Sequence, residues 1–383
     1  MKRQFLALGS CLALSLAVAG CQDQTTAPSL SPVTRVASTS ELTAQSSLAY
    51  GLHSQLPSLA DVVADLNTPS IDNAVVPTAC STASPINDYI NAQLGNSLTV
   101  ERARILELVN EWDVANVPLY EAVYLKSGAT QQTYGYDGEF TKIIDKTERD
   151  VKNFWDIESA DIQVVSMRDD VLFDVPRLAA TYNYVYGVPY PMATQFAETV
   201  RNLLVTSQTM NGHYAYWTFN AVSLQIPAPD PDAQRKVVMG DGILEAYKSL
   251  GLDDVAPQAI FAHEFAHQIQ FAKGYRLPTA GTTAAERTRY TELMADAFSA
   301  YYLTHKRGAT MNQKRVEEFL NVFFYIGDCS FTSSGHHGTP NQRLKAARFG
   351  FAVADDFQKQ GHILTAEEFF TRFQAAYPSL VAP

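Results

Sequence analysis

The strongest constraint in the chain is a stretch with no helix breaker. After Pro257 the segment QAIFAHEFAHQIQFAK runs to Gly274 without an internal glycine or proline. That predicts one helix of about four turns, opened by proline and closed by glycine. It carries His263, Glu264 and His267. At about 100° and 1.5 Å per residue the two histidines fall about 40° apart around the axis and about 6 Å apart along it. Two imidazole nitrogens can then meet one tetrahedral ion, and zinc is the ion this donor type suits. Glu264 stands one residue further round. There a carboxylate leaves the metal alone, hydrogen-bonds its water and takes the proton. Ala262, Phe265, Ala266 and Ile269 are uncharged, as a helix buried around a dry site requires.

Two histidines do not complete a site, so a third ligand has to come from elsewhere. RYTELMADAFSAYYLTH reads as a second helix, with Glu292 and Asp296 four residues apart on one face. The 24 residues between His267 and Glu292 let the first helix end and the chain turn at Gly274 and Gly281. The second helix then brings Glu292 opposite the histidines. His263, His267 and Glu292 as ligands leave one position for water, the arrangement of a catalytic zinc. Asp296 is expected outside this set, accepting the outer N–H of a ligating histidine, His263 in the first instance.

HExxH followed by ExxxD resembles the gluzincin metallopeptidases. HEFAHQIQF, ELMADAFSAYY and HHGTPNQR, in that order, resemble the bacterial neutral zinc metallopeptidase family with its HExxHxxQ, ELxAD and HGTxxQR motifs. The likeness spans roughly residues 236–350. It departs in a shorter interval between the second histidine and the glutamate, and in an N-terminal region with no counterpart. It implies zinc on His263, His267 and Glu292, Glu264 as base, and hydrolysis of a peptide bond in a peptide or protein substrate. It adds His337 as a candidate second donor to the oxyanion, with His336 and Tyr325 also eligible. Gln342 and Arg343 either hold the local helix, near a cap at Thr339 and Pro340, or bind a substrate carboxylate. His53, His213, His305 and His362 lack ligand-like partners and are assigned no role.

The first residues set the expected compartment. Lys2 and Arg3 precede an apolar stretch, Phe5 to Ala19, that is short for a membrane span. Val18-Ala19-Gly20-Cys21 resembles the bacterial lipobox, against the alternative of an ordinary secretory leader. On that reading residues 1–20 leave as a lipoprotein signal and Cys21 takes the lipid that anchors the chain to a membrane. Gln22, rather than aspartate, then favours the outer membrane of a Gram-negative envelope. Residues 21–47 are rich in Ser, Thr, Gln and Pro and read as a disordered tether. Residues 48–85 either wrap the domain or act as a pro-segment, and 86–383 form the metallopeptidase domain. Cys80 and Cys329 are left as a candidate disulfide or two buried thiols. The net charge of −11 argues against nucleic acid as a partner.

The remaining pattern predicts a mainly helical α+β fold, zincin-like, with a small sheet against the metal helix. Helices are expected from Leu98 to about Val123, at Thr147 to Ile157, at Met192 to Ser207, and from Gln313 and Asn341. HYAYWTFNAVSLQI and Lys236–Met239 read as two strands. The edge of such a sheet can accept an extended substrate, or the sheet is simply core. Two rival readings stand beside the enzyme. One is a catalytically silent zinc-binding envelope lipoprotein acting as a scaffold, which has no need of Glu264. The other is a structural module without metal, which leaves Glu292 and Asp296 unexplained.

Overall fold

The computed structural model describes residues 112–206, 213, 215–226, 228, 230, 232–325, 338–358 and 361–382, with Tyr89 and Ala92. A helical stretch over residues 114–125 passes from 3-10 through α to π geometry. It is followed by α1 (Thr141–Phe154), β1 (Ile162–Met167), α2 (Val175–Tyr186), α3 (Tyr190–Thr206), β2 (Ala221–Ile226) and β3 (Gln234–Gly240). Then come α4 (Asp241–Ser249), α5 (Ala256–Lys273), α6 (Ala284–Thr304), α7 (Gln313–Tyr325), α8 (Pro340–Gln358) and α9 (Ala366–Leu380). The fold is mainly helical with one small sheet, as the patterning predicts. The start of the helix expected from Leu98 lies outside the described residues, as do Cys21, Cys80, Cys329, His53, His336 and His337. No described helix is long and apolar enough to cross a membrane.

The sheet has three strands in the order β1-β3-β2, with β1 parallel and β2 antiparallel to β3. As the central strand, β3 has Val237, Val238 and Met239 fully buried, the continuous apolar run expected of a strand covered on both faces. Lys236 is the exception. Its ammonium donates to the carbonyls of Ala122, Val123 and Lys126 and so closes the C-terminal end of the 114–125 helix. Burial pushes its pKa down to about 8.

Three sequence expectations need correction. The strand pattern read into HYAYWTF belongs to a 3-10 turn, Ala215–Thr218, and only Ala221–Ile226 is strand. Apolar content does not separate these, because both segments bury apolar side chains. Backbone space does. A Cβ on Gly242 would meet Ala215 O at 2.1 Å and one on Gly240 would meet Thr218 O at 2.1 Å, so the turn lies directly on two glycines. The helix expected at Thr147 begins at Thr141 instead, because Ile144, Thr147, Val151 and Phe154 form one buried stripe. Strand β1 and helices α2, α4 and α9 were not anticipated.

Helix ends follow local chemistry. Asp174 accepts a bond from Arg177 N at the start of α2, and α6 and α9 open with reciprocal capping boxes, Thr283 with Glu286 and Thr365 with Glu368. An aromatic cluster of Phe154, Trp155, Phe298, Tyr301 and Phe369 joins α1, α6 and α9 in the core.

Asp241, where β3 passes into α4, is fully buried. It pairs with Arg168 at 2.9 Å and accepts from Gly135 N at 2.9 Å. Burial pushes its carboxyl up to about 7, with Arg168 pulling the other way. A carboxyl raised in the folded state contributes stability that is complete below its unfolded value near 4 and lost as pH climbs through about 7. Between pH 5 and pH 8 the wild type is therefore expected to lose about 2 kcal/mol relative to Asp241→Asn. Urea midpoints at the two pH values check this, and parallel profiles for the two proteins would remove the assignment.

Candidate metal centre

Helix α5 takes its place from both ends and from its side. Pro257 stands in its first turn, and Gly274 at φ 70° closes it by donating to Gln270 O. On the sheet side the buried amide of Gln268 donates to Ser223 Oγ at 2.7 Å and to the carbonyls of Leu224 and Lys236 at 3.1 Å. These three bonds tie the helix to β2 and β3 and fix its rotation. Gln268 follows His267 directly, so the rotation that seats it on the sheet turns His263 and His267 toward α6.

His263, His267 and Glu292 are buried together, and one ligand atom from each lies within 4.8 Å of the others. Among the described residues they are the only such group that could hold a metal ion. The spacing allows a quantitative test. With metal–ligand bonds of about 2.0–2.1 Å, two ligands of a tetrahedral ion sit about 3.4 Å apart. His263 Nε2 is 3.4 Å from Glu292 Oε2, and His267 Nε2 is 3.5 Å from Glu292 Oε1. Each carboxylate oxygen thus faces one imidazole nitrogen at about the edge length of a tetrahedral site, and the two rings lie 83° apart. Among the described residues the buried His267 Nε2 has no hydrogen-bond partner, which suits a nitrogen directed at a metal.

The outer nitrogen of each ring faces a side-chain oxygen. His263 Nδ1 lies 3.1 Å from Asp296 Oδ1, the contact expected from the sequence. His267 Nδ1 lies 3.0 Å from Gln270 Oε1, while the Gln270 amide donates to Thr291 O at 2.7 Å. Because that amide already donates, its oxygen accepts from His267, and Nδ1 carries the proton. This leaves Nε2 with its lone pair toward Glu292. Sequence reasoning passed over Gln270 although the signal was present, since it sits three residues beyond His267 on the same helix face. Glu264 is fully buried on the same helix and lies outside the ligand group.

The described part of the third motif, residues 338–343, docks α8 on α6. Gly338, at φ 98°, packs on α6, where an added Cβ would meet Leu293 at 3.2 Å. Thr339 and Gln342 cap the start of α8 reciprocally, each backbone N–H donating to the other's side chain at 3.1 Å. Arg343 is buried and bidentate to Asp296, with Nε to Oδ2 and Nη2 to Oδ1 both at 2.8 Å. Gln342 thus caps α8, and Arg343 ties α8 to Asp296 of α6. His336 and His337 lie outside the described residues, and Tyr325 ends α7.

The other described histidines, His213, His305 and His362, are not part of this group. His213 bonds Asp169 at 2.8 Å and stacks on Tyr136, and His305 Nε2 lies 3.0 Å from His362 O. Compared with known proteins, the chain matches no family model, no curated protein and no solved structure.

Proposed function

We propose that the protein is an exported zinc-dependent metallopeptidase of zincin-like fold, with His263, His267 and Glu292 as zinc ligands and Glu264 as general base. One observation carries the reading. A buried group of three ligand-type side chains, with one donor atom of each within 4.8 Å of the others, lies beside Glu264, a buried carboxylate on the helix of the two histidines that is not needed for binding. Two nitrogens and one oxygen are the donor set of catalytic zinc, which keeps a fourth position open. Zinc, when bound, supplies Lewis acidity to the substrate carbonyl and lowers the pKa of water toward neutrality.

The chain's own residues do the rest. Glu264 takes a proton from the attacking water and hands it to the amine nitrogen as the C–N bond breaks. Asp296 and Gln270 hold the histidine rings so that both present Nε2. His337 is proposed as a second oxyanion donor. The motif likeness adds support over roughly residues 236–350, and the lipobox-like leader supports a lipid anchor on Cys21 in the bacterial envelope.

The test is metal content. Protein expressed from about residue 48 and purified without chelator is expected to carry one zinc per chain, and His263→Ala none, as measured by elemental analysis. Well-folded wild-type protein with no zinc, after incubation with excess, would end the proposal.

A further inference from the structure

Arg343 lies on α8, a helix that supplies no metal ligand, yet its buried side chain ends beside the ligand group. Its guanidinium grips both oxygens of Asp296, Asp296 Oδ1 meets His263 Nδ1, and Nη2 stands 3.8 Å from Glu292 Oε2. Three helices are thereby joined in series, α8 to α6 to α5. Arginine keeps its charge at any accessible pH, and its planar fork fixes a carboxylate in rotation as well as position. Asp296 so held can present only one edge to His263. Arg343 thus places one fixed positive charge among the buried carboxyl groups of Glu264, Glu292 and Asp296.

We propose that Arg343 is a positioning residue that sets the metal affinity of the site, acting through Asp296 on His263. This rests on the reading of His263, His267 and Glu292 as a metal site. It gives the GTPNQR segment a use distinct from substrate contact. Gly338 and the Thr339–Gln342 cap dock the start of α8, and the docked helix delivers Arg343 to Asp296.

The experiment is competition for zinc against a chromophoric chelator, using folded protein checked by circular dichroism, with the ligand-field spectrum of cobalt-loaded protein as a second readout. Arg343→Lys keeps the charge and loses the fork. It is expected to bind zinc about 10–100-fold more weakly, the usual cost of losing a group that orients a ligand, and to shift the cobalt spectrum. Asp296→Asn is expected to lose as much, and the double variant little more than Asp296→Asn alone, because both act along one path. Arg343→Met is expected to lose at least as much as the lysine variant. If it fails to fold, Arg343→Lys decides. A lysine variant with wild-type affinity and spectrum overturns the proposal while leaving the metal site standing. A wild type that binds neither zinc nor cobalt overturns the parent reading instead.

Discussion

Glu264→Gln is expected to lower peptide hydrolysis about a thousandfold, within the range for losing a general acid–base group, while zinc stays bound at one per chain. The size follows from what the substitution leaves intact. Glutamine matches the volume of glutamate, so the packing of a fully buried side chain is kept. The ligand group does not include residue 264, so the metal is kept too. What disappears is a group able to accept a proton. A thousandfold corresponds to about 4 kcal/mol of transition-state stabilisation, well above the scatter of most packing effects. Initial rates on a mixed peptide library, compared at equal zinc occupancy, measure it. Equal rates for wild type and variant, with zinc bound to both, would remove the catalytic claim and leave the scaffold reading in its place.

This part of the site was legible because helical spacing is a local rule. His263 to His267 and Glu292 to Asp296 are each one helical turn, so four residues could be placed in pairs before any tertiary contact was known. Their burial then excludes a solvated acidic face, since Glu292 is fully buried and Asp296 nearly so. Arg343 is a different case. It reaches Asp296 across 47 residues, and no period in the sequence connects the two. The motif pointed to its position while its partner stayed open.

The sheet divides along the same line. Strands β2 and β3 are close in sequence and were both anticipated as strands, although the turn before β2 was not. The parallel partner β1 pairs Ile162 with Arg235, and the crossover between them contains α2, α3 and β2. Six residues, IQVVSM, carry too little pattern to announce a strand whose partner lies so far away. The helix carrying HEFAH was therefore predictable from its own residues. Its rotation was not, because that depends on Gln268 reaching both distant strands.

Gly350 is where the fold and the site should fail together. It lies on α8, seven residues after Arg343, and thus on the same face two turns along. A Cβ placed there would sit 2.3 Å from Ala297 O, 3.0 Å from Tyr301 N and 3.1 Å from Ala300 Cβ. Ala297 and Tyr301 are four apart, so the added carbon would press on the backbone ladder of α6 at the turn that follows Asp296. Two effects compete in Gly350→Ala. Helix propensity favours alanine by about 1 kcal/mol. Against it, backbone atoms cannot rotate away as a flexible side chain can, so α8 has to lift by about 1 Å, and overpacking of this kind costs about 1–3 kcal/mol. The clash is expected to win for alanine, with net destabilisation of about 1–2 kcal/mol, and Gly350→Val should lose about 3 kcal/mol or more. Lifting α8 also draws the Arg343 fork from Asp296, so folded Gly350→Ala should bind zinc more weakly than wild type. Urea midpoints and chelator competition on the same preparations test both halves. An alanine variant more stable than wild type would mean that propensity outweighs the contact and that the approach of α8 to α6 does not hold the metal centre in place.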